Sequence, residues 1–217
     1  MILEPIEPHI LSVRRLPAAA PALLVAYGAD PTRHTSLGLI TCDQDDSTYV
    51  ALDEATKQAN VDVVFARSFY GGARHASGPL SGEILGVIAT SDPDEIEEGL
   101  AAAIRCLTHD ACFYGADHNG EIAVFPHVIA SLGHYLSKEA GLSVGDSMAY
   151  LVAPPMEASI GIDAALKAAD VRAAKLFPPP SETNFAAAWL TGDLTACEAV
   201  AFAEAVIDVA AEPHRRW

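Results

Sequence analysis

The sequence predicts an α+β fold built as two tandem units. Three observations carry this. Residues 52–62 (Leu52-Asp53-Glu54-Ala55-Thr56-Lys57-Gln58-Ala59-Asn60-Val61-Asp62) and 162–172 (Ile162-Asp163-Ala164-Ala165-Leu166-Lys167-Ala168-Ala169-Asp170-Val171-Arg172) are two versions of one segment, 110 positions apart without a gap. Each half orders its elements alike: a leading strand and helix, two strands joined by a turn, a helix, a strand, a loop, a strand and a closing helix. Finally, 51% hydrophobic and 19% charged residues in 217 supply enough core for two units of about 100 residues each. The expected boundary places residues 1–110 in the first unit and 111–217 in the second.

Taking the elements in order, Ile10 to Leu16 suits a strand and Ala18 to Tyr27 a short small-residue helix. Leu37 to Thr41 is an apolar run fit for a buried strand. Asp43-Gln44-Asp45-Asp46 reads as a polar turn and Thr48 to Leu52 as β-prone, so a hairpin is expected here. Asp53 then caps a helix to about Asn60, with Ala55 and Ala59 facing inward. Val61 to Phe69 is a strand. Tyr70 to Pro79 has three glycines and no periodicity, and reads as a loop. Glu83 to Thr90 is a strand. Asp92 as cap, Pro93 at the first helical position and Glu95 at the third open a helix with an Ile96, Leu100, Ile104 and Leu107 stripe.

In the second half, Ile122 to Phe125 is expected as a strand and His127 to Ala140 as a helix. Met148 to Ala153 is a strand, Pro154-Pro155 a turn and Ser159 to Ile162 a strand. Asp163 to Asp170 is a helix, Val171 to Phe177 a strand and Pro178 to Asn184 a loop. Ala188 to Leu190 is a strand and Thr195 to Ala210 a helix. At the same offset, Leu80-Ser81-Gly82-Glu83-Ile84 lies over Leu190-Thr191-Gly192-Asp193-Leu194, which makes Asp193 the expected mate of Glu83.

A net charge of −16 excludes the basic footprint that nucleic acid or an anionic membrane surface requires. It suits cationic small-molecule partners. The four cysteines (Cys42, Cys106, Cys112, Cys197) lack CxxC spacing and read as free thiols of a reducing cytoplasm. No apolar run approaches the ~18 residues of a membrane span, and the start of the chain has no basic region of the signal-peptide kind.

Both halves carry Asp-x-Ala-x-Lys-x-Ala-[Asn/Asp]-Val. Further blocks are Ser36-Leu37-Gly38-Leu39-Ile40, Asp43-x-Asp45-Asp46-x-Thr48-Tyr49, Tyr135-Leu136-Ser137-Lys138, Met148-Ala149-Tyr150-Leu151-Val152-Ala153-Pro154-Pro155 and Pro178-Pro179-Pro180-Ser181-Glu182-Thr183-Asn184. From about Ser36 onward these resemble the tandem-domain shell proteins of bacterial microcompartments, in particular the ethanolamine-utilisation L type. The resemblance implies two circularly permuted shell domains and a homotrimer forming a pseudo-hexagonal tile. The tile would carry a gated central pore and a small ethanolamine-binding pore in each subunit, meet other shell proteins of the same compartment, and have no cofactor and no enzymatic activity.

Carried onto this chain, the resemblance gives candidate ligand contacts at Asp45, Asp46, Glu83, Phe113, Thr183, Asn184 and Phe185. A carboxylate cluster attracts an ammonium through charge-assisted hydrogen bonds, and the Phe113 carbonyl is a candidate acceptor for the hydroxyl. Solvated turn acids are the alternative for Asp43 to Asp46. Pore loops fall at Tyr70, Gly71, Gly72, Arg74 and His75, and at Pro179, Ser181 and Glu182. Glycines favour motion and prolines hold a fixed path, so the first loop is expected to move more. Lys57 and Lys167 match the tile-edge lysine, whose stem can lie buried while its ammonium donates across a seam; the alternative is an ordinary solvated helix lysine.

No metal set is indicated. His127 and His134 are expected to share a helix face by packing, and Glu157 is within reach of a divalent ion without any spacing that demands one. A rival reading takes Asp43-x-Asp45 after an apolar strand as the nucleophile and acid/base of a magnesium-dependent phosphatase.

Overall fold

The computed structural model describes residues 4–69, 78–117, 121–179, 181, 185–197 and 200–214. The chain divides into two compact units. One consists of Pro8–Ala111 with Gly133–Leu136; the other consists of Met1–Glu7, Cys112–Leu132 and Ser137–Trp217.

The first of these holds a four-stranded antiparallel sheet. Its strands are β2 (Ile10–Leu16), β3 (Ser36–Cys42), β4 (Asp62–Ser68) and β5 (Ile84–Thr90), in the order β2-β3-β5-β4. Helices α2 (Asp45–Gln58) and α3 (Pro93–His109) pack together on the sheet, and α1 is the short Pro21–Ala26. α3 starts as the sequence predicts: Asp92 accepts from the Asp94 N–H at 3.0 Å and Pro93 stands at the first helical position. Ile96, Leu100 and Leu107 are buried. Glu95 turns to the Asn60 N–H at 2.7 Å. α1 keeps only Leu24 buried and is shorter than its apolar run suggests.

The second unit repeats this sheet as β7 (Ala123–Ile129), β8 (Met148–Ala153), β10 (Ala186–Thr191) and β9 (Arg172–Phe177), and adds β6 (Phe113–Gly115) and β1 (Glu4–Ile6) beyond β7. Every pairing is antiparallel. α5 (Pro155–Ala168) and α6 (Val200–Ala211) pair as α2 and α3 do. α4 (His134–Ala140) follows β7.

Five sequence expectations are corrected. Residues 45–52 are the first turns of α2, where a hairpin was expected, and residues 155–162 are the first turns of α5, where a turn and strand were expected. The reason is period. Thr48, Ala51, Leu52 and Ala55 recur at helical spacing and are buried, and Ala158, Gly161 and Ala165 repeat them 110 positions later. Burial of that stripe overrides the β preference of Thr, Tyr and Val. In consequence Asp53 lies inside α2, not at its cap. His127 lies in β7 and His134 opens α4, so they share no helix.

The fifth correction concerns the repeat. β4 pairs Asp62 with Ala89, and β9 pairs Arg172 with Thr191. The offset is therefore 110 before the loop and 102 after it. Gly192 and Asp193 follow β10, whereas Gly82 and Glu83 precede β5. The structural mate of Glu83 is Phe185. Both outer strands bulge at one equivalent place, skipping Val64 in β4 and Ala174 in β9.

Candidate functional site

The acidic site is built where β3 ends and β5 begins. Asp43 follows β3 and is locked by His9: its Oδ1 accepts the His9 N–H at 2.7 Å, and its Oδ2 lies 2.8 Å from Nδ1. Asp45 and Asp46 form the first turn of α2, where the helix dipole favours negative charge. Both are buried, and Asp45 Oδ1 accepts the Asp46 N–H at 2.9 Å. Gln44 supplies the acceptor for the Ser47 hydroxyl at 2.7 Å.

Glu83 enters from the opposite strand. Its N–H donates to the Cys42 carbonyl at 2.8 Å. Gly82, at φ +60°, makes this approach possible: a Cβ there would lie 2.1 Å from the Cys42 carbonyl oxygen. Glu83 is exposed, yet partial desolvation pushes its carboxyl up, and repulsion from Asp45 and Asp43 pushes it further. The arrangement concentrates like charge around Glu83, which a cation would relieve.

The aromatic candidates lie in the other unit. Phe113 is buried at the start of β6; its ring centroid is 4.9 Å from Phe125 and 6.3 Å from Phe185. Of the second loop, Pro179 is exposed and the Ser181 N–H donates to the Phe185 carbonyl at 3.2 Å. Tyr70, Gly71, Gly72, Arg74, His75, Glu182, Thr183 and Asn184 lie outside the described residues.

The two lysines differ. Lys57 is held by Glu54 at 2.5 Å with Asp53 at 3.9 Å, and its side chain is 24% exposed. Lys167 pairs with Asp163 at 2.6 Å and is 73% exposed. Asp53 is fully buried: its carboxylate accepts the N–H groups of Gly133 at 2.7 Å and Leu136 at 2.8 Å. The Thr56 hydroxyl accepts from His134 at 3.0 Å. Gly133 comes so close that a Cβ would stand 2.6 Å from the Asp53 carbonyl oxygen. Sequence reasoning missed both the His9 clamp and this seat. Only strand register brings His9 to Asp43, and residues 133–136 are some 80 positions from their acceptors, so no local signal marks either.

Among the described residues no three His, Cys, Asp or Glu side chains are grouped to hold a metal, and no helix is long and apolar enough to cross a membrane. The four cysteines are free thiols; Cys42, Cys106 and Cys197 are buried and Cys112 partly so. The phosphatase reading finds no support. β3 lies between two antiparallel neighbours rather than in a doubly wound parallel sheet, Asp43 is engaged by His9, and Asp45 points into its own helix start.

The BMC domain family matches residues 36–115. The bacterial microcompartment shell protein EutL of Clostridium perfringens is 49% identical over 210 residues, covering 96% of each chain. EutL of Salmonella typhimurium is 50% identical over 188 residues, covering 86% of each. The crystal structure of the ethanolamine utilization protein EutL from Leptotrichia buccalis superposes with a TM-score of 0.94 at 45% identity, covering 100% of both chains. A trimeric microcompartment shell protein, PduB, matches with a TM-score of 0.71 at 19% identity over 94% of this chain and 89% of its own, which shows a common fold. The duplicated α+β units, the order of their strands and these likenesses over nearly the whole length agree: the chain belongs to the EutL family of bacterial microcompartment shell proteins, whose role is structural.

Proposed function

We propose that three copies of this chain form a pseudo-hexagonal tile of a microcompartment shell, and that the acidic cluster of the first half admits and binds a small ammonium-bearing solute, ethanolamine in the first instance. Two homologous units per chain give six near-equivalent positions from three chains, which favours the trimer. The observation that carries the solute reading is Glu83, exposed at the start of β5 beside Asp43 and Asp45 and pushed up by partial desolvation and by their charge. An ammonium there gains Coulomb attraction and charge-assisted hydrogen bonds together.

Phe113, Thr183, Asn184 and Phe185 are proposed as further contacts on the family resemblance. Residues 70–79 and 178–185 are the proposed pore loops, with the glycine-rich first loop moving more. Lys57 and Lys167 are the proposed edge lysines, and Lys167 is already exposed enough to reach a neighbouring tile. The site of action is the shell of a compartment inside the bacterial cytoplasm, in ethanolamine utilisation.

Calorimetry of the assembled protein with ethanolamine tests the solute reading. Binding in the native chain, weakened at least about tenfold in Glu83→Ala, is expected for a lost charged hydrogen bond. No binding to the native chain removes the ligand and leaves the shell role standing.

A further inference from the structure

One short segment holds two of the acids of the first unit. His9 precedes β2, and Ile10 and Leu11 open it. Three contacts join His9 to Asp43: the His9 N–H to Oδ1 at 2.7 Å, Nδ1 to Oδ2 at 2.8 Å, and the Asp43 N–H to the His9 carbonyl at 3.3 Å. The β2–β3 ladder then shifts register between Ile10 and Ser12, so Leu11 bulges from the pairing. Its Cδ1 lies 2.8 Å from the place a Cβ on Gly82 would take, against the turn that delivers Glu83. The His9 side chain is 77% exposed, so it adds nothing to the core.

The second unit has neither partner of this clamp. Ser12 pairs with Thr41 and Phe125 with Val152, at equivalent places of the two sheets. Continuing each ladder outward reaches His9 and Asp43 in the first unit, but Ala123 and Pro154 in the second. β7 also meets β8 without a register shift. The donor, its acid and the bulge thus occur together, in the unit that carries Asp45 and Glu83.

We propose that His9 is a specificity-determining residue of the solute site: it occupies Asp43 so that the acidic cluster takes one ammonium and excludes divalent metal ions. This assignment rests on the ammonium reading of the same cluster and adds what the site rejects. Asp45 and Asp43 both lie close enough to Glu83 to repel its carboxylate. Carboxylates gathered in this way suit a hard divalent cation, which binds through several bare oxygens. Facing a carboxylate, the Nδ1 of His9 carries its proton, so each oxygen of Asp43 already accepts an N–H. Those two donors present their positive ends where a metal ion would have to approach, and they fix the plane of the carboxylate. An ammonium is less demanding. Its donors meet Asp45 and Glu83, and its single charge is drawn by Asp43 without contact. Asp43 thereby contributes charge to the site and is withheld as a ligand.

The test is calorimetry of the full chain with ethanolamine and, separately, with calcium chloride as the metal probe. His9→Ala keeps the backbone N–H on Oδ1 and frees Oδ2. His9→Asn restores an amide donor at the reach of Nδ1. The ring is exposed, so both variants are expected to keep the native circular dichroism. In the native chain ethanolamine is expected to bind more tightly than calcium. In His9→Ala the affinity for calcium relative to ethanolamine is expected to rise about fivefold or more, and in His9→Asn to return to the native ratio. Adding Asp43→Asn to His9→Ala is expected to abolish the gain. A ratio that His9→Ala changes by less than about twofold, or an Asn variant that behaves like the Ala one, overturns the role of His9 and leaves the ammonium reading standing. A native chain that prefers calcium overturns it too. A native chain that binds no ethanolamine overturns the ammonium reading and this assignment with it.

Discussion

Replacing Asp53 and Asp163 by alanine, one at a time, asks the same question of both copies of the repeat. Asp53 is fully buried, and its two oxygens satisfy the N–H groups of Gly133 and Leu136. Alanine leaves both donors buried without an acceptor. A hydrogen bond to a charged group contributes about 1.5–3 kcal/mol. Burial raises the Asp53 carboxyl, opposed by the Gly133 and Leu136 N–H groups and by Lys57, so some desolvation cost is recovered when the charge is removed. Taking the lower end for each bond gives a loss of about 3 kcal/mol, or roughly 6–12 °C in Tm for a chain of this size. Asp163 pairs with Lys167, with both side chains mostly exposed, and its loss stays within about 0.5 kcal/mol. Urea titration and calorimetric melting at one fixed protein concentration measure both, since assembly shifts apparent stability. Equal losses in the two variants, or a loss below about 1 kcal/mol for Asp53→Ala, would refute the view that Asp53 is the seat of residues 133–136.

Three further predictions follow from the site and the fold. Glu83 has a raised carboxyl, so the folded state holds its proton more tightly than the unfolded chain. Stability therefore falls as pH rises from the unfolded value through the folded one, and Glu83→Gln flattens that slope and raises Tm at neutral pH while losing the ammonium solute. Gly82→Ala and Gly141→Ala place a side chain at similar positive φ, but only Gly82 faces a backbone carbonyl at 2.1 Å whereas Gly141 has nothing within 4 Å; denaturant melts should show about 1 kcal/mol lost at Gly141 and at least about 2 kcal/mol more at Gly82. Lys57→Ala and Lys167→Ala should abolish two-dimensional arrays in electron micrographs while light scattering still reports the native assembly.

Much of the fold was legible wherever a local signal and a tertiary role coincide. Asp92, Pro93 and the Ile96, Leu100 and Leu107 stripe specify α3 by capping and period alone. Strands β4, β5, β8 and β9 stand within a residue or two of their apolar runs. Legibility failed at 45–52, because Thr48 to Leu52 satisfies both a strand and a helix until the Leu52 and Ala55 contacts decide. It failed again beyond Leu80, where a short likeness at offset 110 hid the true offset of 102. Within the site, the acids were visible but their geometry was not. The His9 clamp on Asp43 depends on β2–β3 register, and the Glu83 approach depends on the Gly82 backbone.

The corrected offset sharpens what the acids are for. Their structural mates in the second unit are Pro155 for Asp45, Met156 for Asp46 and Phe185 for Glu83, none of them acidic. The second unit nevertheless builds the same four core strands, the same bulge and the same helix pair. Folding of this scaffold therefore does not require a carboxylate at any of the three positions. At Glu83 the charge is moreover unfavourable in the unit that keeps it, since Asp45 and Asp43 repel its carboxylate. A group that the scaffold does without in one copy, and that costs stability in the other, is best explained by something that binds to it. The segment pairing Asp53 with Gly133 and Leu136 makes the opposite case: there a carboxylate present in both copies is buried and structural in one and exposed in the other. Comparison of the two halves thus separates an acid that holds the chain together from the acids to which the proposed solute would bind.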